Sequence, residues 1–196
     1  MSKIKENSGV LVQGHIKIHD PESGAVFVNK RNAIHYENMS IALAESVANQ
    51  GQGFISSMAF GNGGTSVDPT GIITYLTPNS TGTNASLYNQ TFTKIVDDRS
   101  VSNLDPQRNK IETRHVNGTN YTDVVVTCLL DYGEPNGQDA TDTASASDSL
   151  YVFDELGLTS YASSGTGKLL THVIFHPVQK SLNRLIQIDY TVRVQS

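Results

Sequence analysis

The chain has 196 residues, with 14 basic and 19 acidic side chains, a net charge of −5 and one cysteine. This acidic balance, without any basic run, argues against binding to nucleic acid, and one cysteine excludes an intrachain disulfide. The length suits one folded domain over residues 1–196 with a sizeable core, and no apolar stretch is long enough to span a membrane.

The first predicted element is a β-hairpin over about residues 9–29. Between Val10 and Ile18, apolar and polar residues alternate with a period of two, which is typical of a strand with one buried face. The turn is predicted at Asp20-Pro21-Glu22-Ser23-Gly24, because Pro suits the second turn position and Gly suits its end. Ala25 to Asn29 then forms the returning strand.

One amphipathic helix is predicted over about residues 33–49. Apolar residues recur along it at spacings of three and four and form one stripe: Tyr36, Met39, Leu43 and Val47. Asn32 is the predicted N-cap, and Gly51 supplies a left-handed position beyond the C-terminal end. We expect the stripe to cover one face of a sheet and to form no cofactor pocket.

Strands and loops are predicted from the helix to the C-terminus. Eight runs rich in β-branched and aromatic residues predict strands at 54–60, 72–77, 87–96, 111–116, 121–130, 150–153, 168–175 and 184–194. Asn117-Gly118 between two of these runs predicts a hairpin turn. Residues 133–149, rich in Asp, Thr, Ser and Ala, predict a long exposed loop. The whole pattern predicts a mainly β fold: an antiparallel β-sandwich or barrel-like sheet with the one helix packed on it.

Several residues invite a metal-binding interpretation. Two histidine pairs have the i, i+4 spacing that places two zinc ligands on one face of a helix: His15 with His19, and His172 with His176. Both pairs lie in predicted strands, where four residues span roughly 13 Å, too far for one ion with bonds of about 2 Å. The acidic residues of the predicted loop lack the EF-hand spacing, although weak calcium binding there is an alternative: Asp139, Asp142 and Asp148. We predict no metal site and no cofactor.

Other short motifs that suggest anion binding or catalysis are each incomplete. Gly165-Thr166-Gly167-Lys168 is similar to the end of a phosphate-binding loop but lacks the upstream glycine, the following Ser or Thr and a helix. Gly61-Asn62-Gly63-Gly64 is better explained as a strand-ending turn than as an anion site. Asp97-Asp98 and Asp154-Glu155 are neighbours whose side chains should point to opposite faces of a strand. Cys128 lies in an apolar run, which predicts a buried thiol. We predict no catalytic residue.

The order of these features resembles a group of bacteriophage virion proteins that are labelled tail, fibre or baseplate-associated. The shared features are a hairpin with an Asp-x-x-x-Gly turn, an Asn before a helix, a strand ending in a Gly-rich turn, a Glu-Leu-Gly segment and a final pair of strands. In this chain they lie at His19–Gly24, Asn32–Ile34, Met58–Thr65, Asp154–Leu158, Leu169–Val178 and Ile186–Val194. The chain departs from the pattern by long insertions at Thr65–Ser86 and Gly133–Ser149.

The resemblance implies a structural subunit of a phage virion, in the tail, neck or connector, baseplate or capsid surface. Such a subunit packs with copies of itself and with other virion proteins, and the resemblance carries over no active-site residues. Because Met1 to Asn7 is polar, we expect no signal peptide and synthesis in the host bacterial cytoplasm.

Two alternatives to a structural subunit stay open. A host glycan or receptor-binding module is the first, although the chain has no Trp and its Tyr residues fall mostly in predicted strands or on the helix stripe. A hydrolase built on a β-sandwich is the second, and it would need carboxylates such as Asp97, Asp98 or Glu155 to converge from different strands.

Overall fold

The computed structural model describes residues 9–135 and 150–196. Along those ranges the elements are β1 Leu11–His19, β2 Val26–Ile34, α1 Tyr36–Val47, β3 Ile55–Gly61, β4 Thr65–Val67, β5 Ile73–Tyr75, β6 Gln90–Ile95, β7 Lys110–His115, β8 Tyr121–Leu130, β9 Leu150–Ser160, β10 Thr171–Ser181 and β11 Ile186–Gln195. Nine strands form one antiparallel sheet in the order β6-β3-β9-β10-β2-β1-β11-β8-β7, while β4 pairs with β5 separately. The large sheet curls into a half-barrel, so the predicted mainly β fold with one helix is confirmed.

The N-terminal hairpin is present as predicted. The side chain of Asp20 accepts bonds from the amides of Glu22 (2.9 Å) and Ser23 (3.1 Å), and Gly24 closes the turn with a φ of 74°. The alternation of β1 is also confirmed, since Ile16 and Ile18 are completely buried. The second strand is longer than predicted, because β2 continues past Asn29 through the residues that were assigned to the start of the helix.

The helix differs from its prediction at both ends. It begins at Tyr36 and is capped by His35, whose Nδ1 accepts a bond from the Asn38 amide, so the predicted N-cap Asn32 is wrong and lies in β2. The predicted apolar stripe is only half buried, because its end residues Tyr36 and Val47 are 68% and 90% exposed. The buried residues of the helix are Met39, which belongs to the predicted stripe, and Asn38 and Ala42, which do not. No helix in the described ranges is long and apolar enough to span a membrane.

The polar residue on the buried face of α1 has a definite partner. The side-chain amide of Asn38 donates to the carbonyl of Leu169 (2.9 Å), just before β10 begins. This bond ties the first turn of the helix to the sheet and turns the two ends of the predicted stripe towards solvent. Gly51 has a left-handed φ of 74° as predicted, but the left-handed residue directly after the C-cap Ala48 is Asn49, with a φ of 53°.

The core lies within the curl of the sheet and is rich in aromatic contacts. Phe153 of β9 contacts Phe60 of β3 and Phe175 of β10 edge to face, with ring centroids 5.4 and 5.7 Å apart. Strands β9 and β10 are both longer than predicted. The register between them shifts between Ile174 and Val178, and this irregularity accommodates Pro177 inside β10.

The predicted loop at 133–149 falls almost entirely outside the described residues, and so do the calcium candidates Asp139, Asp142 and Asp148. The predicted hairpin of β7 and β8 is confirmed, with a φ of 87° at Gly118. The segment that joins β6 to β7 is held by the buried side chain of Asn103, which donates to the carbonyls of Asp97 and Asn109.

Candidate functional site

Three buried ionisable side chains lie on the neighbouring strands β9 and β10, and two of them, Glu155 and His172, are in contact. Asp154 and Glu155 belong to β9, His172 belongs to β10, and all three are buried. The Nε2 atom of His172 donates to Oε2 of Glu155 at 2.9 Å. The sequence signal was weak, because 17 residues separate His172 from Glu155 and only the strand pairing brings them together.

Glu155 accepts four hydrogen bonds. Its Oε1 atom accepts from the backbone amides of Gly63 (3.1 Å) and Asn89 (2.8 Å). Its Oε2 atom accepts from the amide of Tyr88 (3.0 Å) as well as from His172. Burial raises the pKa of Glu155, but the hydrogen bonds from His172 and the three amides outweigh burial, so the pKa lies below its usual value. The carboxylate is therefore held in its ionised form.

His172 uses both of its ring nitrogens. Its Nδ1 atom accepts a bond from the backbone amide of Asn79 (2.8 Å), while Nε2 donates to Glu155. A neutral imidazole has one donor and one acceptor nitrogen, so these two partners fix the tautomer with the proton on Nε2. The ring therefore has no free lone pair for proton abstraction or for a metal ion.

Asp154, the neighbour of Glu155 in β9, binds residues that follow Gly63 in the same turn. Its Oδ1 atom accepts from the amide of Gly64 (2.9 Å), and Oδ2 accepts from the amide of Thr65 (2.9 Å) and from the Thr65 hydroxyl. Burial raises the pKa of Asp154, and the bonds from Gly64 and Thr65 offset only part of that effect, so the pKa lies above its usual value.

Both carboxylates of the Asp154-Glu155 pair are bound by one turn, and the prediction that the pair alone forms no site stays a prediction. Strand β3 ends with Gly61 paired to Glu155, and the turn that follows then contacts both carboxylates through Gly63 and Gly64. One turn thus reaches two adjacent positions of a strand that is buried over most of its length.

The turn at Gly61–Gly64 ends β3 as predicted, and its amides bind carboxylates of the same chain. A Cβ atom on Gly61 would lie 2.5 Å from the Asn89 carbonyl oxygen and 2.5 Å from Oε1 of Glu155. A Cβ atom on Gly63 would lie 2.7 Å from the Asn89 amide nitrogen. Both glycines are therefore required by close approach of the backbone.

The cluster fixes a surface segment that we name the 65–88 arm, residues Thr65 to Tyr88. The arm contains the β4–β5 hairpin and the irregular chain that leads back towards β6. Its beginning is held by Asp154, its middle by the bond from the Asn79 amide to His172, and its end by the bond from the Tyr88 amide to Glu155. The side chains of Asp154, Glu155 and His172 thus use their hydrogen-bonding atoms to bind backbone groups of the arm and of the residues that flank it.

The arm is almost without charge, and it exposes several large apolar side chains among Ser, Thr and Asn residues. Its only charged residue is Asp68, whose carboxylate caps its own turn by accepting bonds from the amides of Thr70 and Ile72. Five large apolar side chains of the arm are exposed by 42–62%: Val67, Ile72, Tyr75, Leu76 and Tyr88.

In neither of the two i, i+4 histidine pairs do both side chains bind a common partner within the part of the chain that the structure describes. His15 is exposed while His19 contacts the carboxylate of Asp189 at 3.0 Å. His172 is buried in the cluster, whereas His176 is exposed and lies 3.3 Å from the hydroxyl of Tyr75. In residues 9–135 and 150–196, no three His, Cys, Asp or Glu side chains are grouped as metal ligands.

The remaining predicted motifs lie apart from the cluster. Gly165 to Lys168 forms an irregular loop whose Lys168 backbone bonds with Ser160. Asp97 accepts bonds from the backbone and side chain of Arg99. The predicted buried thiol at Cys128 is confirmed, and burial raises its pKa to about 12.

The sequence analysis did not predict that Lys180 is buried. Lys180 is completely buried, and its ammonium donates to the carbonyls of Asp131 and Ser181, each at 2.9 Å. Burial lowers its pKa to about 8. The strand that carries Lys180 was predicted to end at Phe175, so a lysine five residues later gave no reason to expect burial.

Comparison with known proteins yields no relative: no protein-family model, no curated protein and no solved structure matches the chain. Function must therefore be argued from the cluster, the 65–88 arm and the surface around them.

Proposed function

We propose that the protein is a structural subunit of a bacteriophage particle, which acts without catalysis by packing against copies of itself and other virion proteins. The observation that carries the proposal is the surface of the 65–88 arm. Protein interfaces are depleted of charge at their centre, and clustered exposed apolar side chains mark contact surfaces. The arm combines five such side chains with a single charge that is already bound within its own turn.

The β4–β5 hairpin gives a second argument for a contact at the arm. An isolated two-stranded hairpin is at best marginally stable in water, and this one has only a few contacts with β10. Val67 and Ile73 pair across the hairpin, and Val67 is 62% exposed. Packing against a second copy of the chain would bury these side chains and stabilise the hairpin.

The buried cluster supports the same role because it holds the arm in place before any partner arrives. Bonds to Asp154, Glu155 and His172 fix the arm at its beginning, middle and end. A surface that is already ordered loses less conformational entropy on association than a free loop does. We therefore assign the cluster an anchoring role in place of a catalytic one.

A phage particle as the setting is supported by the resemblance of the turn and strand order to virion proteins. The arm coincides with one of the two insertions by which the chain departs from that pattern. In this proposal the common part of the fold supplies the sheet, and the insertion supplies the contact that is particular to this subunit. The protein is then made in the host cytoplasm and ends in the virion.

The proposal is tested by measuring the mass of the purified chain in solution by light scattering after size exclusion. We expect a defined oligomer that dissociates when Ile72 is changed to Glu, because this substitution places a charge in the arm contact. The matched control is Val47→Glu on α1, where the original side chain is even more exposed, at 90%. We expect the control to leave the oligomer intact.

Mass spectrometry or imaging of purified phage particles tests the setting independently. We expect the chain to be present in many copies per particle. A chain that stays monomeric at high concentration and is absent from particles would contradict the proposal.

A further inference from the structure

A trough lies over the ends of β6, β3 and β9, and neither it nor the cavity beside it is lined by the five exposed apolar side chains of the arm contact proposed above. Ile95, Ser57 and Thr159 form one row across the three strands in its floor. Its volume is about 360 Å³, and it shares Gln90 and Tyr161 with a neighbouring cavity of about 520 Å³. Together the two cavities form a continuous groove large enough for more than one sugar-sized unit.

The lining of the trough differs sharply from the composition of the chain. Eight of its fourteen lining residues are Ser or Thr, whereas Ser and Thr make up 38 of the 196 residues of the whole chain. No residue of the trough lining is charged. Hydroxyl groups both donate and accept hydrogen bonds, so a dense and uncharged set of them suits a ligand that also presents many neutral hydroxyls.

We propose that this groove binds an uncharged oligosaccharide. An anionic ligand would require Arg or Lys in the trough, and an apolar ligand would require a largely apolar lining. The neighbouring cavity has one acidic and one basic residue, Glu45 and Lys168, so it also favours neither sign of charge. A chain of sugar rings fits the length of the groove and can form hydrogen bonds with its uncharged, hydroxyl-rich lining.

Tyr161 supplies a surface for the flat apolar side of a sugar ring. Its ring stacks on Phe54 with centroids 5.1 Å apart and an angle of 16°, and the guanidinium of Arg99 lies 5.4 Å from the centre of the Phe54 ring. Tyr161 is 39% exposed and lines both cavities. The stack holds the ring in position before a ligand binds, and the phenol hydroxyl adds a hydrogen-bonding group.

The hydroxyls of the trough are also held in position by the protein. The amide of Lys168 donates to Oγ of Ser160 (3.0 Å), and the Ser160 amide donates to the Lys168 carbonyl (2.9 Å). On β6, the side-chain amide of Gln90 donates to Oγ1 of Thr93 (2.8 Å), which leaves the Thr93 hydroxyl proton free for a ligand. Ordered hydroxyls bind a rigid sugar ring with little further loss of entropy.

The test begins with the full chain on a glycan array, followed by calorimetric titration with the neutral oligosaccharide that gives the strongest signal. We expect Thr93→Val and Tyr161→Ala each to weaken binding at least tenfold. Thr113→Val on β7 and Tyr36→Ala on α1 are the matched controls, because both residues are exposed and lie outside the groove. The controls should bind as tightly as the native chain.

Thermal unfolding of each variant shows whether lost binding reflects lost folding, and Ser102→Ala, at another residue of the trough lining, provides a second variant if Tyr161→Ala is unstable. The proposal is overturned if no glycan binds at millimolar concentration, or if the groove variants bind as tightly as the controls. It is also overturned if Thr93→Val changes the oligomeric state without affecting glycans, because the groove is then a protein contact. The Ile72→Glu variant should still bind the glycan, so failure of this inference and failure of the structural role are distinguishable.

Discussion

The anchoring role of the cluster is tested most directly by replacing Glu155 with Gln. This change keeps the shape of the side chain but replaces one acceptor oxygen by an NH₂ group. The remaining oxygen can still accept two amide bonds, for example from Gly63 and Asn89. The new NH₂ group then faces the Tyr88 amide and the Nε2 proton of His172, both of which are donors. His172 cannot relieve the conflict by changing tautomer, because its Nδ1 atom already accepts from the Asn79 amide.

The magnitude follows from the number of donors that lose their acceptor. A buried donor left without a partner costs about 1–3 kcal/mol; the His172 donor is buried and the Tyr88 amide is partly buried and costs less, so together they lower the free energy of unfolding by about 2–5 kcal/mol. This is a large part of the roughly 5–15 kcal/mol that stabilises an ordinary domain. With a urea dependence of about 2–3 kcal/mol per M, the unfolding midpoint should fall by about 1–2 M.

The assay is urea unfolding followed by circular dichroism, with Glu112→Gln as the matched control. Glu112 also accepts bonds from two partners, Lys110 and Arg114, but it lies at the surface on β7. Exposed ion pairs contribute little to stability, so we expect the control midpoint to equal that of the native chain. Equal midpoints for Glu155→Gln and Glu112→Gln would refute the anchoring role.

The pH dependence of unfolding, compared between the native chain and Glu155→Gln, tests whether Glu155 is ionised in the folded state. The folded-state pKa of Glu155 is lowered, so its contribution to stability is fully present above the unfolded value of about 4.3 and is lost as the pH falls through the folded-state pKa. The difference in stability between the native chain and Glu155→Gln should therefore shrink below about pH 4. A difference that grows with acidification would contradict the assignment of an ionised Glu155.

Three further predictions concern other buried groups. Asp154→Asn should cost less stability than Glu155→Gln in the same urea assay, about 1–2 kcal/mol, because burial already raises the pKa of Asp154 and disfavours its charge; an equal or larger loss would contradict this. The free energy of unfolding should rise from pH 8 to pH 10 in the native chain relative to Lys180→Met, since the folded pKa of Lys180, about 8, lies below the unfolded value of about 10.4 and the unfolded state alone stays protonated there. A falling difference would show that the ammonium is not desolvated. Cys128 should react with a thiol reagent in urea but not in the folded chain, because burial raises its pKa to about 12 and hides it from solvent; rapid labelling of the folded protein would contradict its position in the core.

Local sequence patterns were sufficient for much of the fold. The period-two alternation of β1 and β11, and the Asn-Gly turn before β8, depend only on near neighbours and were predicted correctly. The sheet character of β9 was recognised only at its start, because Asp154 and Glu155 interrupt the apolar pattern. Their burial depends on amides supplied by residues 63–65 and 88–89, and a linear pattern does not show that pairing.

The helix and the groove show the same limit of local patterns. An apolar stripe with Tyr36 and Val47 at its ends was predicted to face the sheet, but the bond from Asn38 to Leu169 orients the helix differently. The absence of Trp and the placement of most Tyr residues in predicted strands argued against a glycan site. Tyr161 lies just beyond β9, and its ring is presented to the groove by Phe54, a contact across more than a hundred residues.

The placement of two carboxylates in a buried strand has a physical reason in the turn that they hold. Gly63, Gly64 and Thr65 pass close to β9, where Gly64 is buried and the other two are partly buried, and apolar side chains could not satisfy their amide donors. Apolar residues at positions 154 and 155 would therefore leave these buried and partly buried amides without partners, although isolated buried charges are often replaced by apolar residues without loss. The unfavourable burial of these carboxylates is offset here by the hydrogen bonds through which they fix the path of the 65–88 arm. It follows that the orientation of the arm, and with it the proposed contact between subunits, depends on Glu155 even though Glu155 is itself buried.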